Sequence, residues 1–149
     1  MQSVPLNSSA PQNGHSVNRD KNPKKRGEGN KALVVDDNTL IRKILAAAFL
    51  AGGFETCGEA ENGREGIEVA KRICPDVITL DLSMPVMNGL EAATKLREIF
   101  PKTPIILFTL YADSLSPKDA AKAGVDLVVL KTTPLPALIE KAIELMDYN

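Results

Sequence analysis

From residue 32 onward, short apolar runs alternate with segments whose apolar positions recur every three and four residues. Ala-Leu-Val-Val, from Ala32, has the length and content of a strand. Residues 39–50 carry helical spacing, and Gly52-Gly53 ends that helix as glycine commonly does. The stretch from Phe54 to Ala60 alternates weakly and predicts an edge strand. Asn62 is placed to cap a helix over 63–73, which Pro75 stops. A third strand runs from Asp76 through Leu80, and Asn88 begins a helix reaching about Phe100. A fourth strand starts at Pro104, and Ser116-Pro117 opens a short helix with proline in its first turn. A fifth strand follows Asp126. Pro134 or Pro136 opens a last helix whose apolar face is Leu135, Leu138, Ile139, Ala142, Ile143 and Met146.

Five strands alternating with five helices imply right-handed crossovers and a parallel sheet covered on both faces. The first, third, fourth and fifth runs are nearly continuous in apolar residues, which suits strands buried on both sides. The second is mixed and suits an edge. The simplest arrangement is an α/β doubly wound, flavodoxin-like sheet of five parallel strands, order 2-1-3-4-5.

Composition changes this picture mainly at the N-terminus. Residues 1–30 are rich in Ser, Asn, Pro, Gly and basic residues, and predict a disordered basic tail ahead of a folded domain over 31–149. Up to Lys31 six basic residues face two acidic ones, a net +4, and the rest carries −5 of the overall −1. Lys24-Lys25-Arg26 reads as part of a solvated tail rather than a site for an acidic partner. The single histidine, His15, lies in this tail, so chemistry in the folded domain is expected without histidine. A net charge of −1 and the absence of Trp give no basis for direct nucleic-acid or membrane binding. Cys57 and Cys74 fit neither a metal spacing nor a CxxC motif and read as reduced core thiols. No apolar run approaches the ~18–20 residues of a membrane span, and the N-terminus lacks a signal-peptide pattern, so a cytoplasmic chain is expected.

In an open parallel sheet, functional polar groups gather at the carboxyl ends of the strands. Here the first strand ends in Asp36-Asp37, the third in Asp81, the fourth in Thr109 and the fifth in Lys131. The second offers only Glu59, farther out. Taken singly, each is an ordinary cap, turn former or solvated charge. Together, on neighbouring strands, they form one cleft whose three carboxylates repel one another and call for positive charge. Lys131 supplies one charge. A hard cation with oxygen ligands, Mg²⁺, suits the remainder. Asp81 then has the setting of a nucleophile that forms an acyl phosphate, with Thr109 donating a hydrogen bond to a phosphoryl oxygen. Beyond it, Pro85 and Gly89 shape the turn into the next helix.

With these residues in place, the chain resembles the receiver domain of two-component response regulators. The matching stretches are Val-Val-Asp-Asp-Asn from Val34, Asp-Leu-Ser-Met-Pro-Val-Met-Asn-Gly from Asp81, Pro-Ile-Ile-Leu-Phe-Thr from Pro104, and Ala-Gly-Val-Asp from Ala123 leading to Lys131. The resemblance implies that Asp81 is the phosphoacceptor, fed by a histidine kinase, a phosphotransfer protein or a small phosphodonor. It implies that Asp36, Asp37 and Asp81, with the backbone carbonyl of Ser83, hold Mg²⁺. It gives Thr109 the part of the switch hydroxyl and Lys131 that of the lysine pairing with the phosphoryl group. The implied chain is a signalling switch, with phosphorylation and dephosphorylation of itself as its only chemistry. It would act through the face of its fourth helix, fifth strand and fifth helix, on a downstream protein or in a homodimer.

Three positions depart from the family's commonest pattern. Leu110 follows the switch hydroxyl where a small residue is usual, and its bulk is expected to crowd the phosphoryl group. Val128 stands where an aromatic often swings with the switch, with Tyr111, expected at the surface, as the only nearby substitute. Thr132 follows the lysine where proline is common. The last predicted helix ends near Asp147, so a stand-alone receiver is expected. A haloacid-dehalogenase-like phosphatase would need a second Asp at position 83, where Ser83 stands. A flavin-binding relative would need a Ser/Thr/Gly loop where Asp36-Asp37-Asn38-Thr39 stands. A receiver fold used only for docking, never phosphorylated, is the alternative that remains.

Overall fold

A computed structural model describes residues 29–147, apart from 112 and 114. The tail expected over 1–30, with His15 and Lys24-Lys25-Arg26, lies outside the described residues except for Gly29 and Asn30. Asn30 is already part of the packed unit: it is buried, and its carbonyl accepts from the Glu55 N–H at 2.8 Å.

The strands are β1 (Lys31–Val35), β2 (Thr56–Ala60), β3 (Val77–Leu80), β4 (Ile105–Thr109) and β5 (Leu127–Leu130). The helices are α1 (Thr39–Ala51), α2 (Gly63–Ile73), α3 (Gly89–Ile99), α4 (Pro117–Lys122) and α5 (Leu135–Asp147). All strand pairs are parallel, in the order β2-β1-β3-β4-β5 that the alternation predicts. One face of the sheet, with Leu33, Val35, Leu80 and Leu107, packs against residues of α2, α3 and α4, among them Ile67, Ala92, Ala93, Leu96 and Ala120. The other face, with Val34, Ile106 and Phe108, packs against Leu45 and Phe49 of α1 and Leu138, Ile139, Ala142 and Ile143 of α5. Strand residues alternate between these cores because successive side chains point to opposite faces. The helices predicted to start at Asn62, Asn88 and Ser116 are capped by those side chains, and Asn38 caps α1 in the same way: each accepts a backbone N–H of the first turn.

Two expectations are corrected. Cys74 is not a core thiol: it is exposed, at the left-handed C-cap of α2 (φ +49°) just before Pro75. Cys57 is half-buried, and burial pushes its thiol up to about 12. The fifth strand is not buried on both sides. It is the second edge of the sheet, only Val129 is fully buried, and Leu130 is exposed.

The two ends of the sheet are built differently. At the amino ends of β4 and β5, Arg97 ties three segments together. Its Nη1 donates to the carbonyls of Pro101 and Thr103, its Nη2 to that of Gly124, and its Nη2 meets Asp126 at 2.7 Å. Asp126 in turn accepts the Ile105 N–H. At the carboxyl ends lie the polar groups of the next subsection. The loop beyond Leu80 is tight: the Gly89 N–H donates to the Leu82 carbonyl, and a Cβ at Gly89 would collide with the Asp81 carbonyl oxygen. In the same loop the Met87 N–H donates to the Pro85 carbonyl, which forces exposed Val86 to a φ of +68°. A β-branched residue is strained there.

Two stability predictions follow from local chemistry. The Thr79 hydroxyl, buried between Val34 and Ile106 of the neighbouring strands, has no hydrogen-bond partner among the described residues. Thr79→Val is expected to stabilise the fold by about 1 kcal/mol, because it removes a desolvated donor and keeps the shape. Val86→Asn is expected to add up to about 1 kcal/mol by relieving the left-handed strain. Urea unfolding midpoints at constant slope check both.

Candidate functional site

The sheet order makes β1, β3, β4 and β5 consecutive neighbours, so the residues just past their carboxyl ends meet. Asp36 follows β1. Its N–H donates to the Ala60 carbonyl, its Oδ1 accepts the Asn38 N–H at 2.9 Å, and its Oδ2 lies 2.7 Å from Lys131 Nζ. Asp81 follows β3, is buried, and lies with its Oδ2 3.4 Å from the same ammonium. Lys131 follows β5, and its N–H donates to the Thr109 carbonyl, continuing the β4–β5 pairing. Its side chain is only 7% exposed, so this cation is committed to the two carboxylates. Asp37 is exposed at the rim. One oxygen from each of Asp36, Asp37 and Asp81 falls within 4.8 Å of the others.

Thr109 closes the site from β4. It is buried, and its Oγ1 accepts the Tyr111 N–H at 3.2 Å, which leaves its single O–H proton to donate elsewhere. Ser83 is exposed and shares an open cleft with Thr109, lined also by Leu82, Met84, Asn88 and Tyr111. The structure therefore gathers Asp36, Asp37, Asp81, Thr109 and Lys131 at one end of the sheet, with Ser83 on the adjoining cleft. Leu110 is turned outward, 55% exposed, and is not among the residues lining that cleft. The expected crowding by Leu110 finds no support in this geometry. Tyr111, exposed as expected, is the residue of this loop that lines the cleft.

The electrostatics are unbalanced. Three carboxylates face one ammonium, and at low dielectric such repulsion is costly. Asp81 registers it: burial, then the charges of Asp36 and Asp37, push its carboxyl above the usual value of 3.8, while Lys131 opposes the shift. The donor set is all oxygen, partly open to solvent and net negative. That is the chemistry a hard divalent cation requires, with waters completing its shell, so the residues fit Mg²⁺.

One residue at the site escapes sequence reasoning. Arg42, one turn into α1, is buried, and its Nη1 donates to the Asp36 carbonyl at 2.8 Å. Its Nε meets Glu59 Oε1 at 3.2 Å, so Glu59 is an ion-pair partner of α1 and not a member of the acidic cluster. An arginine on a helix ordinarily reads as solvated. The one available signal is Glu59 at the end of the adjoining strand.

The model of the response regulator receiver domain matches residues 32–143. A chemotaxis protein CheY of Thermotoga maritima is 36% identical over 103 residues, which cover 69% of this chain and 86% of that protein. The regulatory protein AtoC of Escherichia coli is 37% identical over 124 residues, covering 80% of this chain but only 26% of its own length. Among solved structures, the receiver domain of the response regulator AraT from Geobacillus stearothermophilus matches with a TM-score of 0.70 at 32% identity, covering 80% of this chain and 95% of that one. Among the described residues no helix is long and apolar enough to cross a membrane. The chain belongs to the response regulator receiver domain family.

Proposed function

We propose that this chain is a phosphorylation-controlled signalling switch with Asp81 as its phosphoacceptor. The observation that carries the reading is the buried Asp81 carboxylate at the end of β3, held with Asp36 by one shared ammonium, Lys131. A carboxylate oxygen of Asp81 attacks the phosphorus of the donor. An O–P bond forms to give an acyl phosphate, and the bond from phosphorus to the donor's leaving atom breaks. From a histidine kinase or phosphotransfer protein that leaving group is an imidazole, which retains the electron pair and takes a proton from water. Asp36, Asp37, Asp81 and the Ser83 carbonyl are the groups that would hold Mg²⁺, which supplies charge neutralisation for the incoming phosphoryl oxygens.

The remaining residues make the transfer a switch. Lys131 now lies closer to Asp36 than to Asp81, at 2.7 against 3.4 Å. A dianionic group on Asp81 draws that ammonium towards itself. The Thr109 hydroxyl turns to donate to a phosphoryl oxygen and gives up the Tyr111 N–H. The segment after β4 then loses a bond that fixes it, and α4, β5 and α5 present an altered face. Exposed Leu110, Tyr111 and Leu130 lie along this route. The outcome is a shift between pre-existing conformations, read by a downstream protein or a second copy of the chain. On this reading the chain works in the cytoplasm, where a histidine kinase would present its phosphoryl group.

Incubation with a small acyl phosphate and Mg²⁺ is expected to add one phosphoryl group by intact mass. The adduct should be missing with chelator and in Asp81→Asn. Leu110→Ala should change the labelling rate by no more than about twofold, as for an outward surface side chain. If no adduct forms in wild type or in Leu110→Ala, the chain is a docking module and the phosphorylation reading fails.

A pH-dependent stability effect follows from the same geometry. The folded chain takes up the Asp81 proton at a higher pH than the unfolded chain, whose carboxyl titrates near 3.8. In the metal-free protein the Asp81 charge therefore opposes folding above the raised folded value, and this penalty fades as pH falls towards 3.8. Asp81→Asn should melt higher than wild type at neutral pH, with the gap narrowing on acidification. Melting curves of the two proteins across pH, in chelator, check the sign.

A further inference from the structure

We propose that Arg42 is a positioning residue for the acidic pair, setting the Asp36–Asp37 peptide so that both carboxylates face a divalent cation. This rests on the metal site of the proposed function. A single peptide group, the Asp36 carbonyl and the Asp37 N–H, joins the two carboxylate-bearing residues, and its plane decides where Asp37 points. The pairing of β1 with β2 ends at the Asp36 N–H, which donates to Ala60. Beyond that point the β1–β2 ladder no longer holds the chain. The next fixed point is Arg42 Nη1, which donates to the Asp36 carbonyl at 2.8 Å.

The guanidinium is itself aimed from two other sides. Its Nε donates to Glu59 Oε1 at 3.2 Å and its Nη2 to Thr39 Oγ1 at 3.4 Å. Glu59 is held in turn by Lys43 at 3.2 Å. The α1 backbone that carries Arg42 is locked to the same turn: the Arg42 N–H donates to the Asn38 carbonyl, and Asn38 caps the helix through the Ile41 N–H. Arg42 thus links the end of β1, the end of β2 and the first turn of α1 in a fork that an ammonium cannot reproduce. All four polar handles of Asp36 are bonded: N–H to Ala60, carbonyl to Arg42, Oδ1 to Asn38 and Oδ2 to Lys131. Metal sites depend on such outer partners for the orientation of their ligands, and losing one commonly weakens binding about tenfold or more.

The test is direct Mg²⁺ binding by isothermal titration calorimetry on the unphosphorylated protein, alongside melting temperatures. Arg42→Met and Arg42→Lys are both expected to weaken Mg²⁺ binding about tenfold. Glu59→Gln, which loosens the fork and leaves Arg42 in place, should weaken it by a smaller factor. Arg97→Ala, at the opposite end of the sheet, should lower the melting temperature and leave Mg²⁺ affinity unchanged, which separates positioning from general loss of stability. Wild-type affinity in Arg42→Lys with loss in Arg42→Met would show that charge alone matters and overturn the proposal. So would unchanged affinity in Arg42→Met. If the Arg42 variants do not fold, Glu59→Gln decides, and unchanged affinity there overturns the proposal. Asp37→Asn is the control for the underlying reading: if it too binds Mg²⁺ like wild type, the metal site is wrong, not the part given to Arg42.

Discussion

The bonds from Lys131 to Asp36 and Asp81 are the interaction on which the site depends. They join the ends of β5, β1 and β3, three strands that no short loop connects. Buried charges of this kind persist only when paired and further hydrogen-bonded. The fold meets that condition with its parallel ladder. Lys131 is anchored through its N–H to Thr109, Asp81 through its N–H to Val35, and Asp36 through its N–H to Ala60. Each strand end is thus fixed by its neighbour before any side chain is considered, and the side chains converge because the backbones do.

Even so, the pairing is incomplete. One ammonium cannot neutralise three carboxylates, and burial first, then the charges of Asp36 and Asp37, raise the proton affinity of Asp81 against the pull of Lys131. A chain selected for stability alone would place an apolar residue or a second cation there. Instead, stability is given up at the point where a cation and a phosphoryl group would bind, so that binding relieves a repulsion already present. The left-handed φ of Val86 in the loop after Asp81 adds backbone strain to the same neighbourhood.

Most of the fold was legible because short apolar runs and an apolar period of three to four each map onto one element type. The helix starts at Asn62, Asn88 and Ser116 were readable for a local reason: a short polar side chain ahead of an apolar period satisfies its own first turn. The site was readable because parallel strands put their carboxyl ends on one side. Asp36, Asp37, Asp81, Thr109 and Lys131 needed only strand order to be brought together. What failed depended on three-dimensional context. Cys74 looked apolar in sequence but falls on a left-handed cap facing solvent. β5 read as buried on both sides because its run is apolar, although the predicted order already makes it an edge with nothing paired beyond it among the described residues. Nothing in the sequence signals that the Thr79 hydroxyl lacks a partner in the core. Arg42 escaped the sequence because its placement depends on Glu59, seventeen positions away on another element.

The two ends of the sheet give the switching proposal its direction. At the amino ends, Arg97 binds the turn after α3 to Gly124 and Asp126, and Asp126 is bonded to the first residue of β4. The short helix α4 therefore leads into a pinned segment at Gly124. Toward its other end, the described chain is held to the site by the bond from the Tyr111 N–H to the Thr109 hydroxyl. Ala120 is the one fully buried residue of α4, so little packing resists its displacement. Under the proposed chemistry, a turn of the Thr109 side chain removes one bond to the segment after β4 while the end at Gly124 stays pinned. On that proposal the change is expected at the surface after β4 and beside β5. The sparse packing of α4 beside a pinned scaffold is then what would let a phosphoryl group on Asp81 be read from outside.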